Sequence, residues 1–198
     1  MPGAISNAYT AAALPLHMDL PAREYQPGIQ FLHCLANEGQ GGHSIYCDGL
    51  AVAERLWVED GAAFQVLSET QIIFRYHDED TDYQMLAPLT GLDRDGAVWE
   101  TRFNAAIMTI DEYSPAAYRE FQRAHRRFLA LTRDPDQRVE RRMRPREIAV
   151  FDKRRVLHDR HAFSEGTGEG GRRRHRQGAY VEWEDVNSKI RVLRRHLY

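Results

Sequence analysis

Short apolar segments, separated by Gly, Pro and polar clusters, recur along most of the chain. They read IQFLHCLA from Ile29, SIYCD from Ser44, TQIIFRYH from Thr70, DYQMLAPL from Asp82, AVWETRFN from Ala97, VERRM from Val139, EIAVFD from Glu147 and GAYVEWE from Gly178. Segments of this length bounded by turn residues are typical of strands rather than of long helices. The pattern predicts a mainly β protein.

Helical periodicity is present in three places. Asp48 can cap a helix through LAVAERLWVE, Ser114 and Pro115 can start a second that ends before Asp134, and a third runs from about Asp185 to His196. The apolar positions expected to face inward are Leu50, Ala53, Leu56 and Trp57 in the first, Phe121, Ala124, Phe128 and Leu131 in the second, and Val186, Ile190, Leu193 and Leu197 in the third. We predict that these helices lie at the periphery and brace a sheet.

Length and composition favour one globular unit. A chain of 198 residues with 42% hydrophobic content can bury a substantial core, so we predict a single domain over residues 1–198. Basic and acidic residues number 27 and 29, which argues against a nucleic-acid partner. The chain has no long apolar run, no signal-peptide pattern and only two cysteines, so we expect no membrane association and a cytoplasmic location.

One segment of low complexity, SEGTGEGGRRRHR, runs from Ser164 to Arg176. Its glycines and charges predict a mobile loop. The loop lies between His158 and the segment that carries Tyr180. We therefore consider it a candidate lid.

The clearest chemical motif is the pair His17 and Asp19 in LPLHMDLP. In an extended segment, residues two apart point to the same face, so both side chains can reach one ion. An HxD pair alone is weak evidence, and a surface pair is the simpler interpretation. A second imidazole would complete a facial triad that leaves adjacent positions of an octahedral ion open. By spacing alone, the candidates are His33, His43, His77, His125, His158, His161, His175 and His196.

Four separated segments, in order, resemble the γ-butyrobetaine dioxygenase family, a group of taurine-type oxygenases that use iron(II) and 2-oxoglutarate. The segments are HMDLPAREYQPGIQFLHCLANEGQGGHSIYCDG, RFNAA, IAVFDKRRVLHDR and RHRQGAYVEWEDVNSKIRVLRR. The resemblance implies a double-stranded β-helix, or cupin-like jelly roll, and it matches His17, Asp19 and His158 to the iron ligands. Asp159 stands where the family usually has Gly.

The resemblance also implies a 2-oxoglutarate pocket. Arg174 matches the arginine that binds the distal carboxylate, a role that suits a guanidinium fork. Arg172 and Arg173 are adjacent rivals, and without the resemblance a solvated basic run would be the simpler interpretation. Ser44 matches a hydroxyl that touches the cosubstrate, and Leu32 matches an apolar residue of the pocket.

On the substrate side, the family binds a trimethylammonium group in an aromatic cage, where ring faces attract a permanent cation. Tyr9 and Tyr180 match two cage positions, although core packing is the default role of a strand tyrosine. Asn104 matches an asparagine near the substrate carboxylate, but the next family asparagine is Ala105 here. Asn7 lies one residue closer to the HxD pair than its counterpart does.

The resemblance implies a hydroxylase that converts γ-butyrobetaine to L-carnitine with Fe(II), 2-oxoglutarate and dioxygen, and with ascorbate as a candidate reductant. Alternatives are hydroxylation of another quaternary amine, such as trimethyllysine or a trimethylammonium phosphonate, and a truncated, inactive domain that binds metal or partners without catalysis. Nothing in the sequence corresponds to the family's N-terminal zinc-binding domain. A shortened sheet exposes an edge, so we expect a homodimer that covers it.

Overall fold

The computed structural model of the protein describes residues 10–110, 114–164 and 174–197. The predicted site residues Asn7 and Tyr9, and the rivals Arg172 and Arg173, lie outside these ranges. The strands are β1 (Leu14–His17), β2 (Ile29–Asn37), β3 (Gln40–Gly41), β4 (Ser44–Asp48), β5 (Ile72–His77), β6 (Asp82–Ala87), β7 (Thr90–Leu92), β8 (Val98–Thr101), β9 (Met108–Thr109), β10 (Arg138–Arg141), β11 (Ile148–Asp152), β12 (Val156–Arg160), β13 (Phe163–Ser164) and β14 (Arg174–Val181). The helices are α1 (Gly49–Glu59), α2 (Gly61–Glu69), α3 (Pro115–Leu131) and α4 (Trp183–Arg195).

Two antiparallel sheets face each other. The strand order is β1-β12-β4-β10 in the first, the major sheet, and β11-β2-β14 in the second, the facing sheet. Aromatic contacts join their inner faces, because the Phe151 ring of β11 lies 5.5 Å from both the Tyr46 and the His158 rings, centroid to centroid. The shorter sheets are β6-β5-β9, β7-β8 and β13-β3. The described chain is therefore mainly β, as predicted.

The hydrophobic core lies between helices α1 to α3 and the outer face of one end of the major sheet. Cys47 of β4 and Leu157 of β12 are direct cross-strand partners and are both buried in this core. Helix residues that pack into it include Val52, Leu56 and Phe128. The helices thus support the strands from outside, which leaves the inner faces of the two sheets free for a site.

Helices α1 and α3 agree with the sequence pattern. The Asp48 side chain accepts hydrogen bonds from the backbone N–H groups of Leu50 and Ala51, and all four predicted core positions of α3 are buried. One assignment in α1 was wrong: Trp57 is 58% exposed, and Val52 is buried instead. Helix α2 was not foreseen; it begins at Gly61, where the Asp60 side chain accepts a hydrogen bond from the Ala63 backbone N–H.

Helix α4 forms where it was predicted, but its predicted inward face was wrong. None of its residues is buried, and Ile190, Leu193 and Leu197 are 40%, 50% and 77% exposed. The apolar stripe of α4 is therefore regular in sequence but does not pack into the core of this chain. Every helix in the described ranges is too short or too polar to span a bilayer.

The strand predictions were right in position for β2, β4, β5, β6, β8, β10 and β11, whereas β12, which carries His158, was not foreseen. Strand β14 begins at Arg174, four residues before the predicted start. The last residues of the predicted mobile loop are therefore in a strand. The middle of that loop, residues 165–173, lies outside the described ranges.

Candidate metal centre

The pairing of β1 with β12 brings the first and third predicted ligands together, because His17 and His158 are cross-strand partners. Asp19 lies just beyond the end of β1, where the Met18 backbone N–H donates to the Phe103 carbonyl at 2.7 Å. Leu20 then adopts a positive φ of 53°, which is unusual for a bulky residue and marks a tight reversal of the chain. The turn places the Asp19 carboxylate beside the strand histidines.

The three side chains converge closely enough to share one ion. His17 Nε2 lies 3.3 Å from Asp19 Oδ1, and His158 Nε2 lies 3.8 Å from Asp19 Oδ2. One ligand atom from each residue lies within 4.8 Å of the other two. Two imidazoles and one carboxylate on one side form the facial arrangement typical of non-haem iron(II) sites. Among the described residues, one other cluster meets the same criterion, and it lies on the outer surface.

The protonation states also suit a metal. Burial is the main reason that the pKa of His158 falls to about 3, so its imidazole is neutral and can donate a lone pair. Burial alone would raise the pKa of Asp19, but the hydrogen bond with His17 and the electrostatic interactions with the two imidazoles outweigh it and hold that pKa far below its usual range. Asp19 is therefore an anionic ligand.

His17 is oriented by its neighbours. Its Nδ1 lies 2.8 Å from the Pro15 carbonyl oxygen, which can only accept, so Nδ1 carries the proton and Nε2 faces Asp19. Burial lowers the pKa of His17, but the hydrogen bond and charge of Asp19 raise it by more. An ion at this place would take the position of the proton between Nε2 and the carboxylate. Backbone support of the far nitrogen is the usual way in which a metal-binding histidine is fixed.

Three further residues hold Asp19. Gln30 Nε2 donates to Oδ2 at 2.6 Å, the Tyr180 hydroxyl donates to the same oxygen at 2.9 Å, and Lys153 Nζ donates to the Asp19 backbone carbonyl. Lys153 is fully buried, and burial lowers its pKa to about 8. The geometry assigns Tyr180, predicted as a cage residue, a direct contact with a candidate ligand.

A second part of the site lies where β14 faces β4. Arg174 and Arg176 both lie on the inner side of β14; Arg176 Nη1 donates to the Ser44 hydroxyl, and both guanidinium groups donate to the Gly42 carbonyl, at 3.2 and 3.4 Å. Arg174 also stacks 4.5 Å from the centroid of the Phe163 ring. The predicted residues Arg174 and Ser44 therefore lie in one pocket, together with an arginine that the sequence did not single out.

These arginines form a concentrated positive charge. Burial, followed by the charges of Arg176 and Arg160, lowers the pKa of Arg174 to about 10, and burial also lowers the pKa of Arg176. The Nε atoms of Arg174 and Arg176 are buried and have no hydrogen-bond partner in the described part of the chain. Neighbouring guanidinium groups whose buried N–H donors lack acceptors are suited to an anionic ligand that accepts several hydrogen bonds.

Gly42 has a structural reason to be glycine at this point. Its φ is +66°, and a Cβ would lie 2.9 Å from Arg174 Nε and 3.2 Å from the Phe163 Cβ. Leu32 lies on the neighbouring strand β2, directly opposite Gly178 of β14. The resemblance linked Ser44 and Leu32 to the cosubstrate as well as Arg174. Ser44 is on β4, which β14 faces, and Leu32 is on β2, which pairs with β14.

Asn104 is the exception among the predicted residues. Its side-chain oxygen accepts the backbone N–H of Ala106 at 3.1 Å, and its backbone carbonyl accepts that of Ile107. These contacts stabilise a local turn. None of its described hydrogen bonds reaches the triad or the arginine pocket.

Comparisons with known proteins agree with this geometry. Residues 2–180 match the family model described as taurine catabolism dioxygenase TauD, TfdA family. A γ-butyrobetaine dioxygenase from Pseudomonas sp. (strain AK-1) is 44% identical over 190 residues, which cover 96% of this chain and 49% of that protein. The γ-butyrobetaine dioxygenase of Homo sapiens is 34% identical over 196 residues, with the same coverage. The chain thus spans about half the length of these relatives.

Solved structures show the same fold. An asparagine oxygenase in complex with Fe(II), 3-hydroxyasparagine and succinate superposes with a TM-score of 0.64 at 19% identity, over 87% of this chain and 50% of that one. PvcB, described as an Fe, α-ketoglutarate dependent oxygenase, gives a TM-score of 0.62 at 20% identity, over 91% and 61%. The predicted double-stranded β-helix is confirmed by these likenesses.

Proposed function

Because the chain belongs to the TauD/TfdA family of taurine catabolism dioxygenases, we propose that residues 1–198 form one catalytic domain of an Fe(II)- and 2-oxoglutarate-dependent hydroxylase. The observation that carries the proposal is the convergence of His17, Asp19 and His158. When bound, iron with 2-oxoglutarate and dioxygen supplies the oxidative decarboxylation that inserts one oxygen atom into a substrate C–H bond and releases succinate and carbon dioxide.

The chain's own residues have distinct tasks in this proposal. The two imidazoles and Asp19 hold the ion, while Gln30 and Lys153 fix the orientation of Asp19. Arg174 and Arg176 bind the distal carboxylate of 2-oxoglutarate, and Ser44 positions Arg176. Ascorbate would serve as the reductant that keeps the metal in its iron(II) state.

We propose γ-butyrobetaine as the substrate and L-carnitine as the product, which would place the chain in carnitine biosynthesis in the cytoplasm. The relatives named above support this choice, as does Tyr180, whose ring stands at the triad and is partly exposed. The engagement of Asn104 in its own turn favours a second candidate, another quaternary amine such as trimethyllysine or a trimethylammonium phosphonate. A rat trimethyllysine dioxygenase is 27% identical over 202 residues.

A direct assay tests both the reaction and the substrate. Metal-free protein mixed with Fe(II) and 2-oxoglutarate without oxygen should develop the weak visible charge-transfer band of the chelate. After oxygen is admitted, succinate release should be coupled to hydroxylation of γ-butyrobetaine and should exceed that with trimethyllysine or the phosphonate. The variant His77→Ala removes an exposed histidine on β5, away from the triad. Its chelate band and its succinate release should equal those of wild type.

Each contrary outcome has a defined meaning. A folded protein that shows no band would favour the inactive metal-binding or partner-binding domain over an enzyme. Equal, uncoupled succinate release with every amine would contradict a quaternary amine as substrate while leaving the cosubstrate reaction intact.

We also propose a homodimer. The apolar stripe of α4, which includes Ile190 and Leu193, is exposed, and burial of such a stripe against a second copy would be favourable. Sedimentation at micromolar concentration should give a dimer for wild type and a monomer for Leu193→Glu. Val58→Glu, on an 86% exposed position of α1, should stay dimeric. A wild-type monomer would contradict the proposal.

A further inference from the structure

A second group of metal-ligating side chains lies on the outer face of the major sheet. His43 directly precedes β4, Glu140 belongs to β10, and His161 directly follows β12. The Nδ1 atoms of His43 and His161 lie 3.6 and 3.7 Å from the same Glu140 Oε1, and one ligand atom from each residue lies within 4.8 Å of the other two. The cluster therefore joins three adjacent strands at one point.

The two distances to Glu140 are close to those of a tetrahedral site. Imidazole nitrogen and carboxylate oxygen bind zinc at about 2.0 to 2.2 Å, which places neighbouring ligand atoms roughly 3.4 Å apart. The two measured separations exceed that value by only a few tenths of an ångström. The backbone beneath the cluster is fixed, because the His161 N–H donates to the His43 carbonyl at 2.9 Å. Small side-chain rotations are enough to complete the site, and water can take the fourth position.

Charge around the cluster favours a cation. Asp159 lies two residues before His161 on β12 and so points to the same face, where it interacts electrostatically with His161 and Glu140. Its Oδ1 is buried and has no hydrogen-bond partner in the described part of the chain. Arg138, on β10, is the positive group that also acts on Asp159. Two carboxylates thus lie beside two imidazoles, and carboxylate oxygen and imidazole nitrogen are both ligands of a zinc-like divalent ion.

We propose that His43, Glu140 and His161 form a second metal site, selective for zinc-like divalent ions, that ties β4, β10 and β12 together from outside. It is separate from the triad, because His158 and His161 stand on opposite faces of the major sheet. The alternative is a direct contact of Glu140 with the two histidines without a metal ion; the histidine side chains are 39% and 50% exposed. The two interpretations differ in whether a metal binds.

A calorimetric titration of the metal-free protein with zinc distinguishes a metal site from a metal-free contact. Wild type should bind two equivalents, His158→Ala should keep the outer one, and His161→Ala should keep the inner one. His161→Ala should weaken the outer event by more than about tenfold, since loss of even a ligand's supporting partner costs roughly ten- to hundredfold in affinity. Glu140→Gln, which preserves side-chain shape, should also weaken it, and His77→Ala should change neither event.

A crystal soaked in zinc gives an independent readout, with an anomalous peak expected between His43 and His161. Two results would contradict the proposed second site. One is a wild type that binds a single equivalent of zinc, which is lost in His158→Ala. The other is a soaked crystal whose anomalous peak lies at the triad alone. Circular dichroism of each variant confirms that a lost event is not lost folding, and Glu140→Gln keeps the test valid if a histidine variant is unstable.

Discussion

Replacing His158 by alanine should abolish iron binding and, with it, succinate release. The substitution removes one of three ligands from a buried position, and among the described residues His17 is then the one histidine left beside Asp19. Because removal of a ligand's supporting partner alone costs roughly ten- to hundredfold, we expect loss of the ligand itself to weaken iron(II) binding by at least about a hundredfold. The measurement is anaerobic iron(II) titration, read by the chelate band in the presence of 2-oxoglutarate.

His77→Ala is the matched control, since it removes an imidazole from the separate sheet β6-β5-β9. Its iron affinity should equal that of wild type. If His158→Ala kept its iron affinity while folded, another side chain would have to be the third ligand and the assigned triad would be wrong.

Substituting either Arg174 or Arg176 by leucine should weaken 2-oxoglutarate binding by roughly ten- to hundredfold, because one hydrogen bond to a charged group contributes about 1.5 to 3 kcal/mol. The dissociation constant for 2-oxoglutarate is measured from the chelate band at saturating iron. Iron binding itself should change little, since neither arginine contacts the triad in the described structure. Arg119→Leu, on the exposed surface of α3, should leave both affinities unchanged.

The two variants discriminate between one clamp residue and two. Wild-type affinity in Arg176→Leu would limit that residue to holding Ser44, whereas wild-type affinity in Arg174→Leu would contradict the role that the family resemblance implies. Equal weakening in both would establish a paired clamp.

The sequence predicted much of the sheet because alternation and turn residues are local signals. Strands such as β2 and β4 could be placed from these signals alone. His17 and Asp19 do converge, but strand β1 ends at His17, and a turn rather than the strand period positions Asp19. The third ligand could not be chosen by spacing, since its place depends on the pairing of β1 with β12 across more than a hundred residues. Only the family resemblance favoured His158 over the other histidines.

The residues that sequence reasoning missed are of two kinds, one without a local signal and one with a signal that the sequence pattern does contain. Lys153 follows a strand in a charged segment and looks like a solvated residue, and only tertiary packing buries it against Asp19. Gln30 did carry a signal, a polar residue on the inner face of an apolar strand. Arg176 carried one too, because it lies two residues after Arg174 and so points the same way. For α4, the prediction that its apolar stripe faces the core was wrong. Periodicity shows which face of a helix is apolar, but it does not show what covers that face.

With the proposed cosubstrate site, the half-buried guanidinium pair would make the conformational stability of this chain depend on the dicarboxylates around it. Arg174 and Arg176 repel each other, and burial denies them the water that would otherwise weaken that repulsion. A bound dicarboxylate offsets this cost only in the folded chain, and at a concentration a hundred times its dissociation constant it stabilises the fold by about 2.7 kcal/mol. In a cell, the lifetime of the protein against proteolysis would therefore rise and fall with the supply of the proposed cosubstrate.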